Sequence, residues 1–161
     1  MTTDFGLLIR TLALARVDFI LVGGLAAAVH GAARATYDVD VVYARNQDNL
    51  VRLIAALAPL RPYLRGAPPG LPFRWDADTL SHGLNFTLTT TGGDIDLLGE
   101  ITGGGLYQHL IGETVLVTAF GVECRCLALD QLITVKRAAG RPKDLEALAE
   151  LEAIAEEQRH V

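Results

Sequence analysis

The chain has 161 residues, half of them hydrophobic, and a formal net charge of -5 at pH 7. This length supports one domain that buries about 70% of its unfolded surface, and it leaves no room for a second domain. The acidic balance excludes a protein that coats nucleic acid by bulk electrostatics, although a local basic patch is compatible with it. The sequence has neither a long uncharged apolar run nor a basic leader followed by an apolar stretch. We therefore expect a single cytoplasmic domain over residues 1–161 with no membrane partner.

The N-terminal quarter predicts a helix, a strand and a second helix. Apolar residues at helical spacing indicate the first helix over residues 4–15. A short strand, Phe19–Val22, then meets Gly23-Gly24, and alanine-rich sequence follows as far as His30-Gly31. Two glycines let backbone N–H groups approach an anion closely at a helix N-terminus, although ordinary strand-to-helix turns also use glycine.

Residues 37–42 alternate in a way that places Asp38 and Asp40 on one face of a strand. Residues two apart on one face are roughly 7 Å apart, so both carboxylates can reach one divalent cation or a pair of them. Without a cation they repel each other. The alternative is a solvated strand face with two exposed carboxylates. Arg34, just before this strand, either pairs with one of the two aspartates or binds a nucleotide phosphate through its planar guanidinium.

Apolar residues recur at helical spacing over residues 46–60, which predicts another helix that covers the sheet. We expect this helix to end before Pro59. Residues 59–72 contain most of the prolines, and we expect no regular structure there. With the residues just beyond, this segment carries Arg61, Arg65 and Arg74. It is either a loop that crosses an edge of the sheet or a basic flap that meets a polyanionic second substrate.

Residues 84–89 alternate, and Gly92-Gly93 then turn the chain into residues 94–98, which predicts a β-hairpin. Its second strand carries Asp94 and Asp96 on one face, so either residue can bring a third carboxylate to Asp38 and Asp40. Residues 99–105 are predicted to be a flexible glycine-rich loop. They are not a Walker-type phosphate loop, because the required lysine is missing.

The C-terminal part predicts a short helix over residues 106–111, two closing strands and then two helices. The second closing strand carries Cys124 and Cys126 as free thiols. Residues 130–139 form the first helix, Gly140 ends it, and Pro142 starts an amphipathic helix that continues over residues 145–161. We treat residues 128–161 as a helical extension of the domain. Both lysines of the chain, Lys136 and Lys143, lie in it.

Together these motifs resemble the signature of the nucleotidyltransferase superfamily that includes DNA polymerase beta. The residues that carry the similarity are Gly23-Gly24, His30-Gly31, Arg34, Thr36, Asp38, Asp40 and the strand with Asp94 and Asp96. Within the superfamily, the chain is most similar to minimal bacterial nucleotidyltransferases related to the abortive-infection type II toxins. The resemblance implies an α/β (α+β) fold, in which a mixed β-sheet has helices mainly on one face and is followed by a C-terminal helical pair.

The resemblance also implies roles for individual residues. Asp38, Asp40 and Asp96, with Asp94 as the fallback for the third position, would hold two Mg2+ ions, with Mn2+ as an alternative. These ions would activate an acceptor hydroxyl for attack on the α-phosphorus of a nucleoside triphosphate such as ATP. Lys136 would be the fourth catalytic residue and would stabilise the leaving pyrophosphate. The nucleotide-binding residues implied are Gly23, Gly24, Arg34, Lys136, Arg141, Lys143 and Asp144.

The chain departs from the family pattern in its glycine turn, which bears on phosphate binding, and in its length, which leaves the acceptor open. Much of the superfamily has Gly-Ser where this chain has Gly23-Gly24, although many toxin-like relatives share the Gly-Gly form. The chain is also shorter than typical members of that toxin family. The acceptor is therefore an RNA 3′ end, a protein or a small molecule, and a toxin–antitoxin role is one of the functions implied. The alternative is a non-catalytic module of the same fold, which would serve as an antitoxin or assembly partner through its acidic C-terminal helix and would bind a protein partner or a second copy.

Overall fold

The computed structural model of the protein describes residues 2–160, which contain both helices and strands. The α-helices in this range are α1 (Phe5–Leu14), α2 (Gly23–Val29), α3 (Gln47–Leu57), α4 (Ala77–His82), α5 (Tyr107–Leu110), α6 (Leu129–Ala139) and α7 (Pro142–Arg159), and two short 3-10 helices cover Ala58–Leu60 and Ile111–Glu113. The strands are β1 (Phe19–Val22), β2 (Asp38–Tyr43), β3 (Tyr63–Leu64), β4 (Asn85–Thr90), β5 (Gly93–Leu98), β6 (Glu100–Ile101), β7 (Gly105–Leu106), β8 (Thr114–Ala119) and β9 (Val122–Leu127).

Seven of these strands form one mixed sheet in the order β3-β4-β5-β2-β1-β9-β8. Strand β2 runs antiparallel to β1 and parallel to β5, and β1 runs parallel to β9. The hairpins β4–β5 and β8–β9 lie on either side of the central pair. Every residue of β1 is buried, as expected for a strand covered on both faces. The mixed sheet predicted from the sequence is therefore confirmed.

The register between β2 and β5 brings the acidic residues of the two strands together. Asp38 pairs with Asp94, and Asp40 pairs with Asp96. The alternating positions Val39, Val41, Ile95 and Leu97 are fully buried in the core. A slip of one residue would bury the carboxylates and expose this apolar set, so the hydrophobic alternation fixes which residues meet.

The helices pack in two groups around this sheet. Helix α1 contacts α3, β2 and β9, while α6 contacts α2 and α7. Both groups belong to one hydrophobic core, since Leu12 of α1 and Leu151 of α7 lie in the same buried cluster. Helices α6 and α7 are thus packed on the rest of the described structure. Within the described residues, no helix has the length and apolar character needed to cross a membrane.

Three local predictions need correction. Residues 59–72 contain a short edge strand, because β3 pairs with β4 through Tyr63 and Thr89; proline is tolerated next to such edge strands. Residues 99–105 belong to a small hairpin, β6–β7, and are not an unstructured loop. Gly23 and Gly24 do not form a separate turn, because α2 already begins at Gly23, whose φ is +69°.

The two cysteines are free and buried in β9, as predicted. Burial raises the pKa of the Cys126 thiol to about 12, so this thiol stays protonated and unreactive at neutral pH. The neighbouring His30 ring nitrogen Nε2 lies 2.8 Å from the carbonyl oxygen of Leu127. His30 therefore ties the end of α2 to β9, which agrees with a packing role and not a catalytic one.

Candidate active site

Three carboxylates meet where β2 and β5 lie side by side. Asp38, Asp40 and Asp96 each offer one oxygen, and these oxygens lie within 4.8 Å of one another. Among residues 2–160, no other set of three acidic, histidine or cysteine side chains comes this close. Asp94 faces the same way but lies opposite Asp38, outside the group. The structure thus brings Asp96 and not Asp94 into the third position.

The environment of Asp40 fits a bound cation. Its Oδ1 atom is buried and has no hydrogen-bond partner. Burial, together with the charges of Asp38 and Asp96, raises the pKa of Asp40 to about 8. Burial and the Asp96 charge also raise the pKa of Asp38, although Arg65 opposes this shift. A buried oxygen without a donor, between two further carboxylates, is the ligand set that a hard divalent ion such as Mg2+ or Mn2+ prefers.

Glycine at position 23 is required by the closeness of Asp40. A Cβ atom on Gly23 would overlap the Asp40 carboxylate, and its positive φ also disfavours other residues. A Cβ on Gly24 would lie 2.7 Å from the Thr36 hydroxyl oxygen. The start of α2 can therefore approach the strand with the carboxylates only because both positions lack side chains.

A cavity of about 520 Å3 opens from the carboxylates toward the C-terminal helices. Its size is typical of small-molecule sites. One side is basic and includes Lys136, Arg141 and Lys143. The apolar part of the wall is formed by β5, β6 and α6, through Leu98, Ile101, Leu132, Val135 and Ala139. The cavity can therefore take a polyphosphate between the carboxylates and the basic side, with an apolar group against the wall.

Asp144 lies beneath the basic side of the cavity and is fully buried. Its Oδ1 is 3.3 Å from Lys136 Nζ, and its Oδ2 accepts a 2.6 Å hydrogen bond from Arg141 Nε. Burial opposes ionisation, but the hydrogen bonds from Arg141 and Lys136 outweigh it and lower the pKa of Asp144. Asp144 also lines the cavity, and because its oxygens contact Lys136 and Arg141 it positions these two cations; a direct contact of Asp144 with a nucleotide stays a prediction.

Arg34 lies away from the carboxylates. Its Nη1 is 3.7 Å from Oε2 of Glu146 on α7, and both side chains are at least half exposed. The backbone N–H of the preceding residue, Ala33, donates to Glu150 on the same helix. Part of the acidic face of α7 thus binds the loop before β2. Arg34 neither pairs with Asp38 or Asp40 nor lines the cavity.

Arg65 is the site residue that the sequence analysis did not single out. It follows β3, and its Nη2 donates to Asp96 Oδ1 at 2.8 Å. It also lies 3.6 Å from Asp38 and 3.4 Å from Asp94. Residues 59–72 therefore both pair with the edge of the sheet and bring one arginine to the carboxylates. A contact of this segment with a polyanionic second substrate stays a prediction. Three arginines in this segment were a signal, but only the pairing of β3 with β4 shows which one reaches the carboxylates.

The architecture around this site is the nucleotidyltransferase fold. The chain resembles the crystal structure of the lincosamide antibiotic adenylyltransferase LnuA with lincomycin bound: the TM-score is 0.60, the identity is 14%, and 96% of this chain and 99% of that one are covered. A candidate nucleotidyltransferase from Thermotoga maritima has a TM-score of 0.55 at 14% identity, with 89% of each chain covered. No family model and no curated protein matches the sequence. At this identity the likeness shows the fold, and the resemblance to abortive-infection toxins stays a prediction.

Proposed function

We propose that the protein is a metal-dependent nucleotidyltransferase, which transfers a nucleoside monophosphate from a nucleoside triphosphate to an acceptor hydroxyl. The observation that carries this proposal is the group of Asp38, Asp40 and Asp96, with its buried, unpartnered oxygen, at the mouth of a cavity with a basic side. The fold supports it, since both structures described above are named as adenylyl- or nucleotidyltransferases.

In this proposal each group of residues has one task. Asp38, Asp40 and Asp96 hold Mg2+, for which Mn2+ can substitute. When bound, the ion offsets charge on the triphosphate and lowers the pKa of the acceptor hydroxyl. The backbone N–H groups of Gly23 and Gly24 lie beside the carboxylates at the start of α2, where they can bind phosphate oxygens.

The basic side of the cavity binds the leaving group. The acceptor hydroxyl loses its proton to solvent, and a bond forms between its oxygen and the α-phosphorus. The bond between this phosphorus and the oxygen that bridges to the β-phosphorus breaks, and pyrophosphate leaves. Lys136, held by Asp144, stabilises the negative charge that develops on this pyrophosphate. Arg141 and Lys143 provide further positive charge along the same wall.

A small molecule is the acceptor class that we rank first. LnuA is a lincosamide adenylyltransferase and is matched over nearly its whole length. The net charge of -5 disfavours RNA, and one of the arginines in the basic segment is already bound to carboxylates. An RNA 3′ end or a protein acceptor, as a toxin role would require, comes next. Because nucleoside triphosphates are cytoplasmic, we place the reaction in the cytoplasm.

The test is transfer of label from each of four α-labelled nucleoside triphosphates, with Mg2+, to three acceptors: a lincosamide, a total RNA pool and a total protein pool. We expect label in one of the three with the wild type and none with Asp40→Asn. Asp48→Asn, an exposed aspartate of α3, is the matched control and should retain activity. If no acceptor is labelled and no triphosphate binds with Mg2+, a non-catalytic binding module is the correct assignment.

A further inference from the structure

The Arg65 guanidinium contacts three carboxylates at once. Its Nη2 is 2.8 Å from Asp96, its Nη1 is 3.6 Å from Asp38, and its Nε is 3.4 Å from Asp94. Two of these partners, Asp38 and Asp96, are proposed metal ligands. The side chain is only 26% exposed, so solvent screens these contacts less than it screens a surface ion pair.

The backbone around Arg65 fixes this arrangement. The Arg65 N–H donates to the carbonyl oxygen of Thr87 at 3.0 Å, and Thr87 is the β4 residue opposite Asp96. The Nη2 atom also donates to the carbonyl oxygen of Leu88 at 2.8 Å. Both ends of Arg65 are therefore anchored to β4, which presents the guanidinium to the neighbouring strand β5.

We infer that Arg65 is a built-in counter-ion of the carboxylate group, with which a divalent cation has to compete for Asp38 and Asp96. This inference rests on the proposed metal site. Four aspartates of β2 and β5 face this region, and Arg65 neutralises part of their charge in the metal-free protein. The guanidinium stabilises the arrangement of ligands and, at the same time, lowers its affinity for free metal.

A function follows from this competition. Free Mg2+ binds weakly, because it meets a site whose charge is already partly offset. A metal that arrives together with the triphosphate brings additional contacts to Lys136 and Arg141, which compensate for the lost Arg65 contacts. Arg65 thus acts as a positioning residue that favours binding of the metal–nucleotide complex over binding of the metal alone.

The experiment measures the affinity of the nucleotide-free protein for Mn2+ by calorimetry or by the electron paramagnetic resonance signal of free Mn2+. Arg65→Gln removes the positive charge and should tighten Mn2+ binding about tenfold, since a charge a few ångströms from the ion is lost. Arg65→Lys keeps the charge but cannot span three carboxylates, so its affinity should lie between those of the wild type and Arg65→Gln. Arg74→Gln, an exposed arginine beyond the same segment, should bind Mn2+ like the wild type.

A second readout keeps the test independent of enzyme activity. Without metal, Arg65→Gln should unfold at a lower temperature than the wild type, and the gain in melting temperature on adding Mn2+ should be larger. If Arg65→Gln binds Mn2+ no more tightly than the wild type, Arg65 is purely structural and the inference is overturned while the metal site stands. If the wild type, Arg65→Gln and Asp40→Asn all fail to bind Mn2+, both alone and together with a nucleoside triphosphate, the metal site itself is wrong, and the proposed function and this inference fall together.

Discussion

At the scale of single residues, folding raises the pKa of the Asp40 carboxyl. Its pKa rises from an ordinary value of 3.8 to about 8 through burial and the charges of Asp38 and Asp96. The folded, metal-free protein thus keeps a proton that the unfolded chain loses above about pH 4. The stabilisation due to this group is complete below that pH and is lost as the pH rises toward about 8.

Asp40→Asn, which fixes the side chain in a neutral form, should remove this loss of stability with rising pH. In the wild type, Asp40 lowers the free energy of unfolding by up to about 1.4 kcal/mol per pH unit between about pH 4 and pH 8. Urea unfolding at several pH values in the presence of a chelator measures the slope. Asp48→Asn should keep the wild-type slope of the free energy of unfolding against pH. If Asp40→Asn has the same slope as the wild type, the raised pKa of Asp40 is contradicted.

Asp144 is a second buried carboxylate, but cations surround it. Asp144→Asn removes the negative charge shared by Lys136 and Arg141, and Lys136 is itself largely buried. We expect a loss of about 3 kcal/mol in the free energy of unfolding, since breaking a buried pair leaves an uncompensated charge. Glu146→Gln, which breaks an exposed pair on the same helix, should lose less than about 1 kcal/mol. Urea midpoints compare the two variants, and similar losses would show that the burial of Asp144 has no energetic role.

These two residues show what the sequence reveals about single positions. The alternation around Asp38 and Asp40 predicts that both lie on one face, because strand geometry is local. The burial of Asp144 was not predicted, since it depends on how α6 and α7 cross and bring Lys136 within reach. The partner of Arg34 was missed for the same reason, because Glu146 is more than a hundred residues away in the chain.

At the scale of elements, the junction between β1 and α2 depends on a residue without a side chain. Gly23→Ala would place a Cβ against the Asp40 carboxylate at a positive φ. We expect a loss of at least about 1 to 2 kcal/mol from the backbone conformation alone, together with weaker Mn2+ binding because Asp40 is displaced. Gly112→Ala is the control, since a Cβ there has no heavy atom within 4 Å. Thermal unfolding and Mn2+ titration test both variants, and a Gly23→Ala protein with wild-type values would rule out the close approach.

Elements that depend on local sequence signals were predicted, whereas elements that depend on pairing with another strand were not. Helix α3, the hairpin β4–β5 and the end of α6 at Gly140 were predicted, because spacing, turn residues and a left-handed glycine are local signals. Strands β3 and β6 were missed, since each has only two residues and exists through pairing with a neighbour. The position of Arg65 depends on β3, so the sequence alone could not assign it to the site.

At the scale of the whole molecule, the cavity lies between the β-sheet and the C-terminal helices α6 and α7, which are here called the two halves of the structure. Its carboxylates come from β2 and β5, while its basic residues come from α6 and the start of α7. A ligand that spans both sides therefore links the sheet to the C-terminal helices, which share one core with it. Ligand binding should stabilise the entire fold, because the site exists only when both halves are in place.

This coupling predicts a large thermal shift when metal and nucleotide are added together. At a nucleotide concentration about a hundred times its Kd, binding adds about 2.7 kcal/mol, which raises the Tm of a chain of this size by roughly 5 to 10 °C. The shift should be largest with Mg2+ and nucleotide together, and it should be lost in Asp40→Asn. Mg2+ alone should have little effect, because Arg65 already offsets part of the charge of the carboxylates. If nucleotide with a chelator raises the Tm as much as nucleotide with Mg2+ does, the basic side binds the triphosphate without the metal site. The carboxylates and the basic side of the cavity would then act separately.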